Sequence, residues 1–72
     1  MIVSDAKTFG KALRQRRKEL KYTQAFLSEY TGFSVSFISD LERGKDTAEL
    51  GKALYLAGIL GLDLDIRARG RS

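Results

Sequence analysis

The sequence predicts an all-α fold of four to five short helices, with a C-terminal β-strand that pairs with its own copy across a homodimer. Three observations predict it. Residues 23–44, TQAFLSEYTGFSVSFISDLERG, hold two helix starts, at Thr23 and Ser34, and two glycine stops, at Gly32 and Gly44. Apolar residues recur at helical spacing through 9–20 and again through 50–60. From Leu62 onward the apolar period changes to two.

Asp5 is the N-cap candidate of the first helix, where its carboxylate also suits the positive end of the helix dipole. That helix runs to about Leu20, with Phe9, Ala12, Leu13 and Leu20 on its inner face. Continuing the face puts Arg17 on or near it, and an inward arginine either meets an acid or lays its stem on the core and reaches water. The run Arg14, Arg16, Arg17, Lys18 and Lys21 reads equally as a nucleic-acid surface or as the solvated face of an amphipathic helix.

Lys21-Tyr22 leads into a second helix capped by Thr23, with Ala25, Leu27 and Ser28 turned inward. Gly32 ends it, and Phe33 supplies the apolar plug of the turn. Phe26 and Tyr30 share its outer side, where they pack on the first helix, on chain beyond the third, or on a partner. Ser34 caps a third helix in which Val35, Ile38 and Leu41 drift at i, i+3, i+6, as in a short helix with one buried edge. Thr47 caps a fourth helix, with Glu49 in its first turn and a stripe of Leu50, Ala53, Leu54, Ala57 and Leu60 closing the core. Gly51 and Gly58 weaken that helix and imply close packing by a neighbour; Gly61 ends it.

Leu62, Leu64, Ile66 and Ala68 then alternate with Asp63, Asp65, Arg67 and Arg69. A lone strand cannot satisfy its own backbone, so it either pairs with a copy or is a disordered amphipathic tail. Antiparallel pairing about Ile66 sets Asp65 opposite Arg67 and Asp63 opposite Arg69. Leu62, Leu64, Asp65, Ile66 and Arg67 are thus the dimer-strand candidates, and Gly70–Ser72 is a short tail.

Seventy-two residues make one small domain with a thin margin of stability. With no Cys and no His, the sequence offers no disulfide and none of the usual zinc ligands, so neither a metal nor another cofactor is expected. With no Gly-rich phosphate loop and no acid pair beside a pocket, an enzyme is not expected either. The apolar runs are short and interrupted by charge, and the N-terminus lacks a signal-peptide pattern, so a cytoplasmic protein without a membrane span is expected. Residues 1–45 hold nine Lys or Arg against five Asp or Glu, whereas 46–72 hold four against four. The excess of +4 therefore lies with the half that contains the two capped helices, as phosphate contacts would require.

At the start of the third helix Ser34, Val35, Ser36 and Ser39 are the candidates to face a DNA major groove, hydroxyls toward base edges and Val35 toward a thymine methyl. No Arg, Asn or Gln is offered there for bidentate readout. Discrimination per half-site is then modest, and more of the affinity rests on phosphates and DNA shape. Gln24 sits at a first helical position, beside the cap Thr23, where a backbone N–H and the side-chain amide reach one phosphate. Arg43 and Lys45 are either phosphate contacts or free surface charges, and Phe37 either flanks the groove or closes the core.

The order Thr23-Gln24, Leu27, a small residue at 28, Gly32-Phe33, Ser34, Ile38, Leu41-Glu42 and Gly44 resembles the helix-turn-helix of the Cro and phage-repressor (XRE) family. FISDLERGK followed by TAELGKALYLAGILGLDLDI is similar to HipB-type antitoxins of type II toxin–antitoxin systems, over nearly the whole chain. The resemblance implies a lambda-repressor-like bundle: a helix-turn-helix domain over 1–61, a dimerisation strand over 62–69 and a tail over 70–72. It sets Glu42 opposite Arg17 as an ion pair, and gives Gln24 the role of anchoring the motif to the DNA backbone. It further implies a sequence-specific repressor that binds double-stranded DNA as a homodimer on an inverted-repeat operator, with reading helices about 34–36 Å apart. A HipA-like kinase toxin is the implied protein partner; a stand-alone phage-type repressor is the alternative. Ser28 stands where the pattern usually has Ala, and the reading helix lacks the amides common in relatives, so the operator sequence does not carry over.

Overall fold

In the computed structural model, which describes residues 2–69, four helices follow in order: α1 (Ala6–Glu19), α2 (Gln24–Thr31), α3 (Val35–Glu42) and α4 (Leu50–Ile59). Met1 and the tail expected over Gly70–Ser72 lie outside the described residues. Asp5 starts α1 with a reciprocal cap: its carboxylate accepts from the Thr8 N–H at 2.8 Å, and the Thr8 hydroxyl accepts from the Asp5 N–H at 3.1 Å. Those hydrogen bonds hold the Asp5 carboxyl below its ordinary value, the Thr8 backbone N–H being the larger cause. Lys21, at φ 62°, makes the turn after α1 in the left-handed region usually left to glycine.

Leu13 from α1, Leu27 from α2, Ile38 and Leu41 from α3, and Ala53, Leu56, Ala57 and Leu60 from α4 form one core. Leu13, Leu27, Ile38, Leu56 and Leu60 are fully buried, each stabilising the fold by roughly 1.5–3 kcal/mol relative to exposure. The α1–α3 crossing depends on Gly10, because a Cβ there would collide with the Leu41 carbonyl and come within 2.7 Å of the Glu42 carbonyl oxygen. At the far end of α1 the Arg16 Nε–H donates to the Leu60 carbonyl at 2.8 Å, tying α1 to the last turn of α4.

Several expectations are corrected. α4 begins at Leu50, not after Thr47; Glu49 is its N-cap and makes no side-chain capping bond. Residues 46–48 form a turn that seats Ala48 against the core, which delays the helix. Leu56 takes the buried place given to Leu50 and Leu54, both of which are exposed. α4 carries leucines on more than one side, and packing on Leu13, Leu27 and Ile38 selects among them. Nothing lies within 4 Å of a Cβ built at Gly51 or Gly58, and Ala25 faces solvent. Among the described residues there is no strand: 62–69 form no ladder, because one chain gives them no second strand to pair with. Asp65 and Arg67 instead meet each other at 2.6 Å. No helix of the described residues is long and apolar enough to cross a membrane.

Candidate nucleic-acid interface

Local hydrogen bonds build the α2–turn–α3 unit. Thr23 caps α2 by accepting from the Phe26 N–H at 2.9 Å, and Gly32 closes the helix at φ 83°. The Thr31 hydroxyl donates to the Leu27 carbonyl at 2.7 Å and accepts from the Phe33 N–H at 3.1 Å, which fixes the turn. Ser34 then caps α3 through the Phe37 N–H at 3.0 Å. With Ile38 and Leu41 held in the core, Ser34, Val35 and Ser36 stand exposed at the front of α3. Ser39 is half-buried and its hydroxyl accepts from Arg43 Nη1 at 2.5 Å.

A polar network lies behind this front. The Arg17 guanidinium donates through Nε to Glu42 Oε2 at 2.7 Å and through Nη2 to Oε1 at 3.0 Å, with both side chains almost wholly buried. Its Nη1 donates to the Tyr22 carbonyl at 3.0 Å. Hydrogen bonding to Glu42 raises the guanidinium pKa above its ordinary value, outweighing the opposing effect of burial. Gln24 joins the same carboxylate, its amide donating to Glu42 Oε1 at 3.1 Å. One carboxylate therefore holds the end of α1 and the first residue of α2 to the end of α3. The second N–H and the carbonyl of the Gln24 amide have no partner among the described residues.

Arg43 and Lys45 are drawn together by a residue that the sequence reading did not single out. Asp40 accepts from Arg43 Nη2 at 2.6 Å and stands 3.6 Å from Lys45 Nζ. The i, i+3 spacing of Asp40 and Arg43 was the available signal. Phe37 turns to the core edge and meets Phe33 edge-on at 5.1 Å, with Tyr55 beyond at 5.9 Å from Phe33. Tyr22, Phe26 and Tyr30 instead form an outer row with centroids 4.8 and 6.2 Å apart, Tyr30 being 65% exposed.

A convex helix end bearing hydroxyls and a branched methyl group, bordered by guanidinium, ammonium and amide donors, fits a groove lined by base edges and phosphates. Among the described residues no group of His, Cys, Asp and Glu is placed to hold a metal ion.

Comparison with known proteins places these features in a wider set. The helix-turn-helix family model matches residues 13–66. An uncharacterized HTH-type transcriptional regulator, y4mF, of Sinorhizobium fredii is 43% identical over 61 residues, covering 85% of this chain and 80% of that protein. The immunity repressor protein of Bacillus phage phi105 is 35% identical over 57 residues, which are 79% of this chain and 40% of the phage protein. Among solved structures, a HipB–O4 20mer complex superposes with a TM-score of 0.83 at 19% identity, covering 94% of this chain and 96% of that one. A HipB variant in an O2 20mer complex gives 0.84 at 20% identity, covering 94% of each chain. At that identity the two HipB structures share the fold with this chain.

Proposed function

The chain belongs to the helix-turn-helix family, and we propose that, as a DNA-binding transcriptional regulator, it is a repressor that acts as a homodimer on an inverted-repeat operator. The observation that carries this reading is the front of α3, where Ser34, Val35 and Ser36 are exposed while Ile38 and Leu41 fix the helix in the core. Ser34, Val35, Ser36 and Ser39 read base edges, and Thr23, Gln24, Arg43 and Lys45 contact phosphates. Arg43 and Lys45 exchange Asp40 for phosphate on binding. Exposed ion pairs are worth about 0–1 kcal/mol, so the exchange costs little.

Dimerisation is supported by unpartnered apolar surface. Leu50, 69% exposed, lines a groove with Leu54, Leu64, Val3, Ala6 and Phe9, and Ile66, two residues past Leu64, is 96% exposed. Leu62, Leu64, Asp65, Ile66 and Arg67 form the strand that pairs with the same strand of a second copy, covering this surface and giving each backbone its partner. Light scattering tests this: the full chain is a dimer and a chain ending at Gly61 is a monomer. A monomeric full chain, or a truncated dimer, refutes the strand.

The likeness to HipB in fold supports a further role as the antitoxin of a HipA-like kinase encoded beside it. The likeness to a phage immunity repressor supports the second reading, a stand-alone repressor without a toxin. Footprinting the region upstream of its own gene separates them. A palindromic footprint strengthened by the neighbouring gene's product supports the antitoxin, an unaffected footprint supports the stand-alone repressor, and no footprint refutes both.

A further inference from the structure

Half of the cations of the described chain are already paired. Arg16 meets Glu19, Arg17 meets Glu42, Arg43 and Lys45 meet Asp40, Lys52 meets Glu49 and Arg67 meets Asp65. Those without an acidic partner among the described residues are concentrated in one place. Lys7, Lys11, Arg14 and Lys18 follow one another at i, i+4, i+7 and i+11 along a single face of α1, all exposed, and Lys21 stands in the turn beyond; Arg69 is the remaining one. At 1.5 Å per residue the α1 stripe is about 16 Å long.

The stripe borders the reading unit. α1 lies on α3 through Gly10, against the Leu41 and Glu42 carbonyls, and through Arg17, against Glu42. Lys11 and Lys18 each follow one of these contact residues directly, and Arg14 is four residues past Gly10 and three before Arg17. Lys7 touches the loop after α3, since a Cβ at Gly44 would come 2.9 Å from the Lys7 Cα. The opposite flank of α1, with Ala12 and Arg16, turns to Leu60 and Leu62 at the end of α4. The free cations therefore continue the edge that carries Gln24, Arg43 and Lys45.

We infer that this α1 stripe binds the sugar–phosphate backbone of DNA flanking the bases faced by α3, an inference that rests on the DNA-binding reading above. A straight row of unpaired cations suits a row of phosphates, and its continuity with the reading edge favours DNA over an acidic protein surface. It also supplies the affinity that a reading helix without Arg, Asn or Gln leaves to phosphates.

The test is the salt dependence of binding to two duplexes, one from upstream of its own gene and one of random sequence. The variant is Lys11→Gln/Arg14→Gln/Lys18→Gln, whose positions are all exposed; its melting temperature confirms that it folds. Each lost phosphate contact flattens log K against log salt by about 0.9, so the slope falls by about 2–3 and binding near 0.1 M salt weakens by at least about tenfold. A companion variant, Val35→Ala/Ser36→Ala, loses preference for the upstream duplex and keeps the slope. A triple variant that folds and keeps the wild-type slope overturns the inference, whether or not it has lost an acidic protein partner. A wild type that binds neither duplex refutes the DNA-binding reading itself, a different result from an unchanged slope.

Discussion

Replacing Glu42 with Ala strands the Arg17 guanidinium. The side chains of the pair are only 11% and 4% exposed, so water does not take the place of the lost carboxylate. Arg17 keeps one acceptor, the Tyr22 carbonyl, and loses the 2.7 and 3.0 Å bonds to Glu42. Breaking one side of a buried pair costs about 3–5 kcal/mol. A domain of this length has about 4–11 kcal/mol of stability in all, so the variant approaches the edge of folding. For so short a chain the loss lowers Tm by roughly 12–40 °C, measured by circular dichroism and checked by urea titration. Arg17→Met/Glu42→Leu, which removes both charges and keeps apolar volume, recovers most of the loss. A Glu42→Ala protein that melts within about 5 °C of the wild type refutes the reasoning, and Arg17 then reaches water with its stem on the core.

Three further substitutions probe the scaffold. Gly10→Ala drives a Cβ into the Leu41 and Glu42 carbonyls, and since backbone does not yield as a side chain would, urea unfolding should show a loss of about 2–3 kcal/mol or more. Lys21→Gly relieves a left-handed residue and should raise stability by about 0.5–1 kcal/mol, read from the same titration. The Asp5 carboxyl is depressed in the folded state, so its capping contribution is full above the ordinary value of 3.8 and disappears as pH falls through the lowered one. Asp5→Asn should remove that part of the acid dependence of Tm while leaving the neutral-pH fold intact.

Short-range chemistry was what the sequence made legible. Asp5, Thr23 and Ser34 cap their helices by bonds to residues three positions on, and Gly32, Gly44 and Gly61 adopt positive φ, all signals contained within a turn of chain. What depends on which faces meet was harder to read. Leu50, Leu54 and Leu56 have equal claims by composition, and only the shape of the opposing core buries Leu56 and leaves the other two exposed. Gly51 and Gly58 looked like close-packing sites and have no neighbour, whereas Gly10 gave no warning and is the one where α3 approaches. At the candidate interface, the exposed front of α3 follows from the Ser34 cap and the Ile38–Leu41 edge. The engagement of Gln24 by Glu42 and of Arg43 and Lys45 by Asp40 depends on the distance between elements, which periodicity does not encode.

The outer row of rings on α2 gives the protein an optical handle. The chain has three tyrosines and no tryptophan, so its intrinsic fluorescence comes from Tyr22, Tyr30 and Tyr55. Tyr22 and Tyr30 both flank Phe26, and Tyr55 sits edge-on to Phe33. Two emitters therefore watch the start and the end of α2 while the third watches α4. A single tryptophan placed at Tyr30, already 65% exposed, would separate these signals and make motion at the end of α2 visible without an attached dye.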